Sequence, residues 1–165
     1  MIGARRSFVM WPDPRLARVA KPVEAITQEI EQFWADMVVT MDAMPGLGLA
    51  APQIGINLRL AVVDCSQERG HAILLANPEI LQASMETHAV AEGSPNLPGL
   101  SAKVRRPRKV TVKFLNTKGI LDRKDFEGLW ATSVQHQIDH LDGKLYVDRL
   151  RRMKRNMLLK KARKA

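Results

Sequence analysis

A single cysteine, Cys65, stands in 165 residues, which excludes an internal disulfide framework and fits a reducing compartment. It closes the apolar run Leu60 to Val63, a position that favours a buried structural thiol over a reactive one. No stretch of about 18 or more apolar residues is present, and Met1 to Met10 carries two arginines but no apolar block of signal-peptide length. The expected protein is therefore cytoplasmic, with no membrane partner. Internal repeats and low-complexity segments are also lacking. Residues 149–165 hold nine basic side chains and no acidic one, while residues 1–148 hold 17 of each sign.

What is present suits one compact domain, since 45% of the residues are apolar and the chain is too short for two comfortable cores. Residues 1–148 are expected to form that domain, with 149–165 a basic C-terminal helix. The net charge of +9 belongs to this tail. Leu150, Met153, Met157 and Leu158 are spaced so that they form one apolar stripe on an otherwise cationic helix. Such a helix either keeps the protein soluble or offers its charge to an anionic partner, of which RNA is the commonest; a short stripe without large aromatics disfavours a membrane surface.

The first long helix is expected from Thr27, a plausible N-cap with Glu29 and Glu31 in the first turn. Ile30, Phe33, Trp34, Met37, Val38 and Met41 share one face, and Pro45-Gly46 ends it. Strands are expected at Leu58 to Asp64, His71 to Ala76, Glu79 to Ala83 and Lys109 to Leu115, with Asn77-Pro78 and Thr117-Lys118-Gly119 as breaks. A second helix is expected from about Asp125 to Leu141, stopped by Asp142-Gly143. The order predicts an α+β fold with largely antiparallel sheet around the second helix.

Three segments carry chemistry. His136-Gln137-Ile138-Asp139-His140 places two imidazoles on one helix face, about 40° apart, so that both can reach one metal ion; such a pair also arises by chance. In the full hydrolase motif a glutamate follows the first histidine and serves as general base. Gln137 stands there instead, and an amide accepts no proton near neutral pH. Gly46 to Gln53 is built of glycine and alanine small enough for backbone to approach another chain, and ends in a glutamine able to donate to a carbonyl. Glu92 to Gly99 is rich in turn formers and would pass as a loop.

In this order the three segments resemble the signature motifs of the bacterial peptide deformylases, over nearly the whole chain, with Gly-x-Gly-Leu-Ala-Ala-x-Gln intact. The resemblance implies removal of the formyl group from N-terminal formylmethionine of a nascent chain by a metal-dependent amide hydrolase, the divalent metal held by one cysteine and two histidines. It places the histidine ligands at His136 and His140, the oxyanion-binding glutamine at Gln53, and peptide pairing at Leu47 and Gly48 by strand addition, with Glu92 and Gly93 in the second motif. It also likens the basic tail to a ribosome-contacting helix found in some deformylases.

Three positions depart from the pattern Glu-Gly-Cys-Leu-Ser and the metal-helix motif. Ser94 replaces the thiolate ligand, and a neutral hydroxyl is a poor ligand for iron, nickel or zinc. Pro95 replaces the leucine that donates its backbone N–H to the oxyanion, and proline has none. Gln137 replaces the base. An arginine near Ser101 that would support Glu92 is also missing. The expectation is a deformylase-like protein with little or no turnover, holding no metal or a weakly bound one, that keeps a peptide groove; the alternative is an active hydrolase with an altered metal shell, and a third reading gives both histidines a packing role only.

Overall fold

Thr27 begins the architecture as expected: its side chain accepts from the Ile30 N–H and opens α1 (Gln28–Ala43). Ile30, Trp34, Met37 and Met41 of α1 are buried against a sheet. The computed structural model describes residues 1–164. Seven strands follow in chain order: β1 (Gly48–Ala50), β2 (Leu60–Val63), β3 (Ile73–Ala83), β4 (Thr87–Ser94), β5 (Leu97–Pro107), β6 (Lys109–Leu115) and β7 (Leu121–Glu127). Two helices complete the described chain, α2 (Leu129–Leu141) and α3 (Arg152–Lys164). Five strands form an antiparallel sheet in the order β1-β2-β3-β6-β7, and β4 pairs with β5 as a separate hairpin. The α+β expectation holds.

Period-two alternation explains the layering. In β2, Leu60 and Val62 join the α1 cluster, while Ala61 and Val63 join the cluster with Val110, Val112, Phe126 and the α2 residues Ala131, Val134 and Ile138. The sheet thus lies between the two helices, with α2 buried almost all round. At the far edge, β7 carries Asp122, Arg123, Lys124, Asp125 and Glu127, and only Phe126 is buried.

Four sequence expectations change. The strands ending at Ala76 and starting at Glu79 are one strand, β3, because Asn77-Pro78 forms a bulge and not a break. Asn77 takes a left-handed φ of 52°, which asparagine tolerates, and its carboxamide bonds both backbone groups of Val23. The second helix starts at Leu129, not Asp125, because Thr111↔Asp125, Val110↔Phe126 and Lys109↔Glu127 pair β7 with β6, and Gly128, with a φ of 63°, makes the corner. Sheet pairing there overrides local helical preference. The Glu92 to Gly99 segment is the tip of the β4–β5 hairpin and no free loop. Finally, the apolar stripe of the tail is only partly the one expected: Leu150 and Leu158 pack on the body, but the two methionines do not. Met153 is 85% exposed and Met157 49%, whereas Leu158 and Leu159 are buried with Val9, Leu97 and Val104. Two buried leucines contribute roughly 1.5–3 kcal/mol each to holding α3 on β5.

Candidate functional site

Helix α2 sets His136 and His140 one turn apart, and their Nε2 atoms stand 3.1 Å from each other. The His136 Nδ1–H donates to Glu92 Oε1 at 2.7 Å, and the His136 and His140 Nε2 atoms share one hydrogen. His140 Nδ1 has no partner. Burial, then the neighbouring His136 and Arg106, hold the His140 pKa well below the ordinary histidine value, so the ring is neutral. Tyr146 stacks on the His136 ring at a centroid distance of 6.1 Å.

Glu92 does not lack its arginine. Arg106 donates to both Glu92 oxygens at 2.7 and 2.9 Å and to Asp139 at 2.9 Å, and Arg149 grips Asp139 from the other side at 2.6 and 3.0 Å. The expected partner near Ser101 is thus Arg106, which lies in phase with Ala102 and Val104 on the inward face of β5. That alternation was the available signal. Burial alone would raise the Glu92 and Asp139 carboxyls. Hydrogen bonds from His136 and Arg106 to Glu92, and from Arg149 with the Arg106 charge on Asp139, outweigh it and hold both below the usual range.

The hairpin tip supplies the remaining polar groups. Gln53, 1% exposed, accepts from the Ala50 N–H at 2.8 Å and donates to Asn96 Oδ1 at 2.7 Å, with Ser94 Oγ at 3.4 Å. Ser94 Oγ donates to the same Asn96 oxygen at 2.9 Å. Asn96 was missed in the sequence, although it occupies the serine position of Glu-Gly-Cys-Leu-Ser. Gln137 is buried with no partner for Oε1. Its Nε2 lies against Gly48 so closely that a Cβ there would meet it at 2.5 Å, which is why glycine is needed at that position.

Every residue expected at the site except His140 lines one cavity of about 290 Å³. Leu47, Gly48, Gln53, Glu92, Gly93, Ser94, Pro95, His136 and Gln137 are brought together, and His140 sits behind His136. Met44, Leu129 and Thr132 supply further wall. Two strands border the cavity, β1, which ends the five-stranded sheet, and β4, which pairs only with β5. Cys65 lies at the sheet end outside this cavity and is half-buried, not fully buried; burial pushes its thiol up to about 11, so it is not a thiolate near neutral pH.

The donor set meets the implied metal shell only in part. Converging Nε2 atoms and a carboxylate on the far nitrogen of His136 suit two imidazole ligands. The third position does not fit. Ser94 is neutral and its proton is directed to Asn96, and among the described residues no three His, Cys, Asp or Glu side chains gather as a metal-holding group.

Residues 5–156 match the family model described as polypeptide deformylase. A peptide deformylase from Afipia carboxidovorans is 42% identical over 164 residues, 98% of this chain and 96% of that protein. A peptide deformylase structure from Legionella pneumophila is 42% identical, with a TM-score of 0.91 over 98% of this chain and 95% of the other. A class I type b peptide deformylase from Acinetobacter baumannii, solved with Met-Ala-Ser bound, is 31% identical, with a TM-score of 0.84 over 89% of this chain and 99% of the other. With the fold, the motif order and a match over nearly its full length in agreement, this chain belongs to the peptide deformylase family.

Proposed function

We propose that the groove between β1 and β4 receives the formylated amino-terminal end of a peptide, a nascent chain in the first instance, and that the chain removes the formyl group through a site altered at Ser94, Pro95 and Gln137. The gathering of both motif loops and the metal-motif helix around one cavity carries this reading. Relatives named peptide deformylase favour formyl removal over a silent groove. The relative holding Met-Ala-Ser supports an N-terminal peptide as the occupant.

The chain's own residues set how much chemistry is available. Leu47 and Gly48 border the cavity at the open end of the sheet, where an extended peptide can add a strand. Gln53 has one amide hydrogen on Asn96 at 2.7 Å and the other only loosely on Ser94 Oγ at 3.4 Å, from which a carbonyl oxygen can take it. Pro95 offers none, which typically costs ~10²–10³ in rate. Gln137 can orient a water but cannot take its proton. The family works with a divalent metal such as iron, nickel or zinc, which acidifies bound water and polarises a carbonyl; His136 and His140 are the residues suited to hold one. A second reading, binding with little or no turnover, is favoured by the same three positions.

Metal content of the purified protein, measured beside turnover of formyl-Met-Ala-Ser after anaerobic loading with ferrous or nickel ion, tests the proposal. The expected result is formyl release slower than that of an ordinary deformylase by about 10²–10⁴-fold. Peptide binding without any release leaves the second reading, and loss of both binding and release removes the two together.

We further propose that α3 meets RNA, the ribosome being the natural candidate. Arg155 is held by Asp148 and Arg163 lies over Trp11, while Lys154, Lys160 and Lys161 are exposed. Reversing these three lysines to glutamate is expected to flatten the log–log salt dependence of ribosome binding by roughly 0.7–0.9 for each phosphate that is no longer neutralised. An unchanged slope would take RNA away from this helix.

A further inference from the structure

The side chain that ties the site together is one that the altered motif introduces. Asn96 is 1% exposed and uses both ends of its carboxamide. Its Oδ1 accepts from Gln53 Nε2 at 2.7 Å and from Ser94 Oγ at 2.9 Å. Its Nδ2 donates to the Val9 carbonyl and, at 3.2 Å, to the Gln53 carbonyl. Around it, the Asn96 N–H points to Ser94 Oγ at 3.3 Å, the Asn96 carbonyl accepts from the Trp11 N–H, and Val9 N donates back to Gln53 O. Four separate pieces of chain are joined: the N-terminal segment at Val9 to Trp11, the turn at Gln53, the end of β4 at Ser94 and the start of β5.

A serine at position 96, as in the motif, has one hydroxyl and could not make these four bonds, whereas an asparagine has two donors and an acceptor with two lone pairs. The position that would carry the thiolate is drawn into the same set, because the Ser94 proton is spent on Asn96. The disagreement between this donor set and a three-ligand metal shell therefore has a positive content.

We infer that Asn96 is a positioning residue which clasps Gln53, Ser94 and Val9, building this wall of the cavity by hydrogen bonds without a metal ion and holding the Gln53 amide at the cavity, where its second hydrogen, on Ser94 Oγ at 3.4 Å, can pass to the ligand. The inference rests on the proposed peptide site for its ligand, but the clasp itself does not. A metal ion gains its purchase on a hairpin by pulling a ligand from it toward the histidines. Here that hairpin end is already fastened through Asn96 to Gln53 and the N-terminal segment, while Glu92 of the same hairpin bonds His136. Four hydrogen bonds among groups shielded from water are also stronger and more ordered than the same bonds at the surface.

Three measurements on the full chain decide it. Thermal unfolding of the natural protein should be the same, within about one degree, with or without a strong chelator, since anything that binds only the folded form raises its midpoint. The Gln53 side-chain amide resonances should shift and exchange faster with water in Asn96→Ala. Affinity for formyl-Met-Ala-Ser should fall about 5–100-fold in that variant, as expected when a buried group loses its partner. Should Asn96→Ala fail to fold, Ser94→Ala removes one arm of the clasp only, and the Gln53 amide resonances should still move. A midpoint that drops by several degrees on chelation overturns the inference, and so do unmoved Gln53 resonances in both variants. Chelator-insensitive folding with a responsive Gln53 amide, but no peptide binding at all, leaves the clasp standing and removes the proposed function instead.

Discussion

A chain carrying Ser94→Cys, Pro95→Leu and Gln137→Glu together is expected to bind one equivalent of divalent metal and to release formate from formyl-Met-Ala-Ser at least about 10³-fold faster than the natural chain. Each change restores a different capacity. The thiolate supplies the anionic, soft ligand missing at position 94. Leucine returns a backbone N–H at the hairpin tip, and glutamate returns a group that can take and give a proton. The gains should not multiply, because a base has little to improve in a site without metal, so the single changes should each give far less than the triple. Adding Asn96→Ser should help further if the clasp holds Ser94 away from the histidines. A rise of less than about tenfold, with metal bound, would mean that the groove itself has changed.

The second large effect concerns stability. Arg106→Leu leaves Glu92 and Asp139 buried with one counter-ion removed, and breaking a buried pair of this kind costs ~3–5 kcal/mol. For a chain of this length that is a fall of about 6–20 °C in melting temperature. The Arg106, Glu92 and Asp139 side chains are all 4–6% exposed, so solvent offers little relief. Arg149→Leu is the control. Its side chain is 45% exposed, and its loss should cost less than about 1 kcal/mol. Acid sharpens the comparison. Both carboxyls are held below their usual values, so what they contribute is fully present above about pH 4 and is lost as pH falls through their lower folded values. The gap between natural chain and variant should therefore be widest near neutral pH and narrow below about pH 4. A gap independent of pH would remove the charge argument and leave only poorer packing.

Much of the frame is visible in the residues themselves. Thr27 marks its helix because a cap acts locally, and Val110, Val112 and Phe114 mark β6 because alternation against a core is local in sequence. The limits of α2 and β3 were not visible, since they depend on strands that lie elsewhere in the chain: β7 is a strand because β6 lies beside it. In the site, His136, Gln53 and the hairpin tip follow from motif spacing. Arg106, Asp139 and Asn96 do not, because each acts through a neighbour brought near only by folding. Asn96 had passed as one more turn former beside two prolines. The expected tail stripe held at Leu150 and Leu158 but not at Met153 and Met157, for a related reason. Periodicity finds apolar residues on a helix, but the surface it meets decides which of them are covered.

The charged strand at the far edge of the sheet gives this fold a direction of growth. The charges of Asp122 to Asp125 and Glu127 make β7 an unattractive template for another chain, while the opposite margin is only three residues, glycine, leucine and alanine, of which Gly48 borders the cavity. A foreign strand at β1 would thus find only a few residues to pair with, beside the histidine helix. On the proposed function, that asymmetry would favour an extended peptide at the cavity end of the sheet over its charged end.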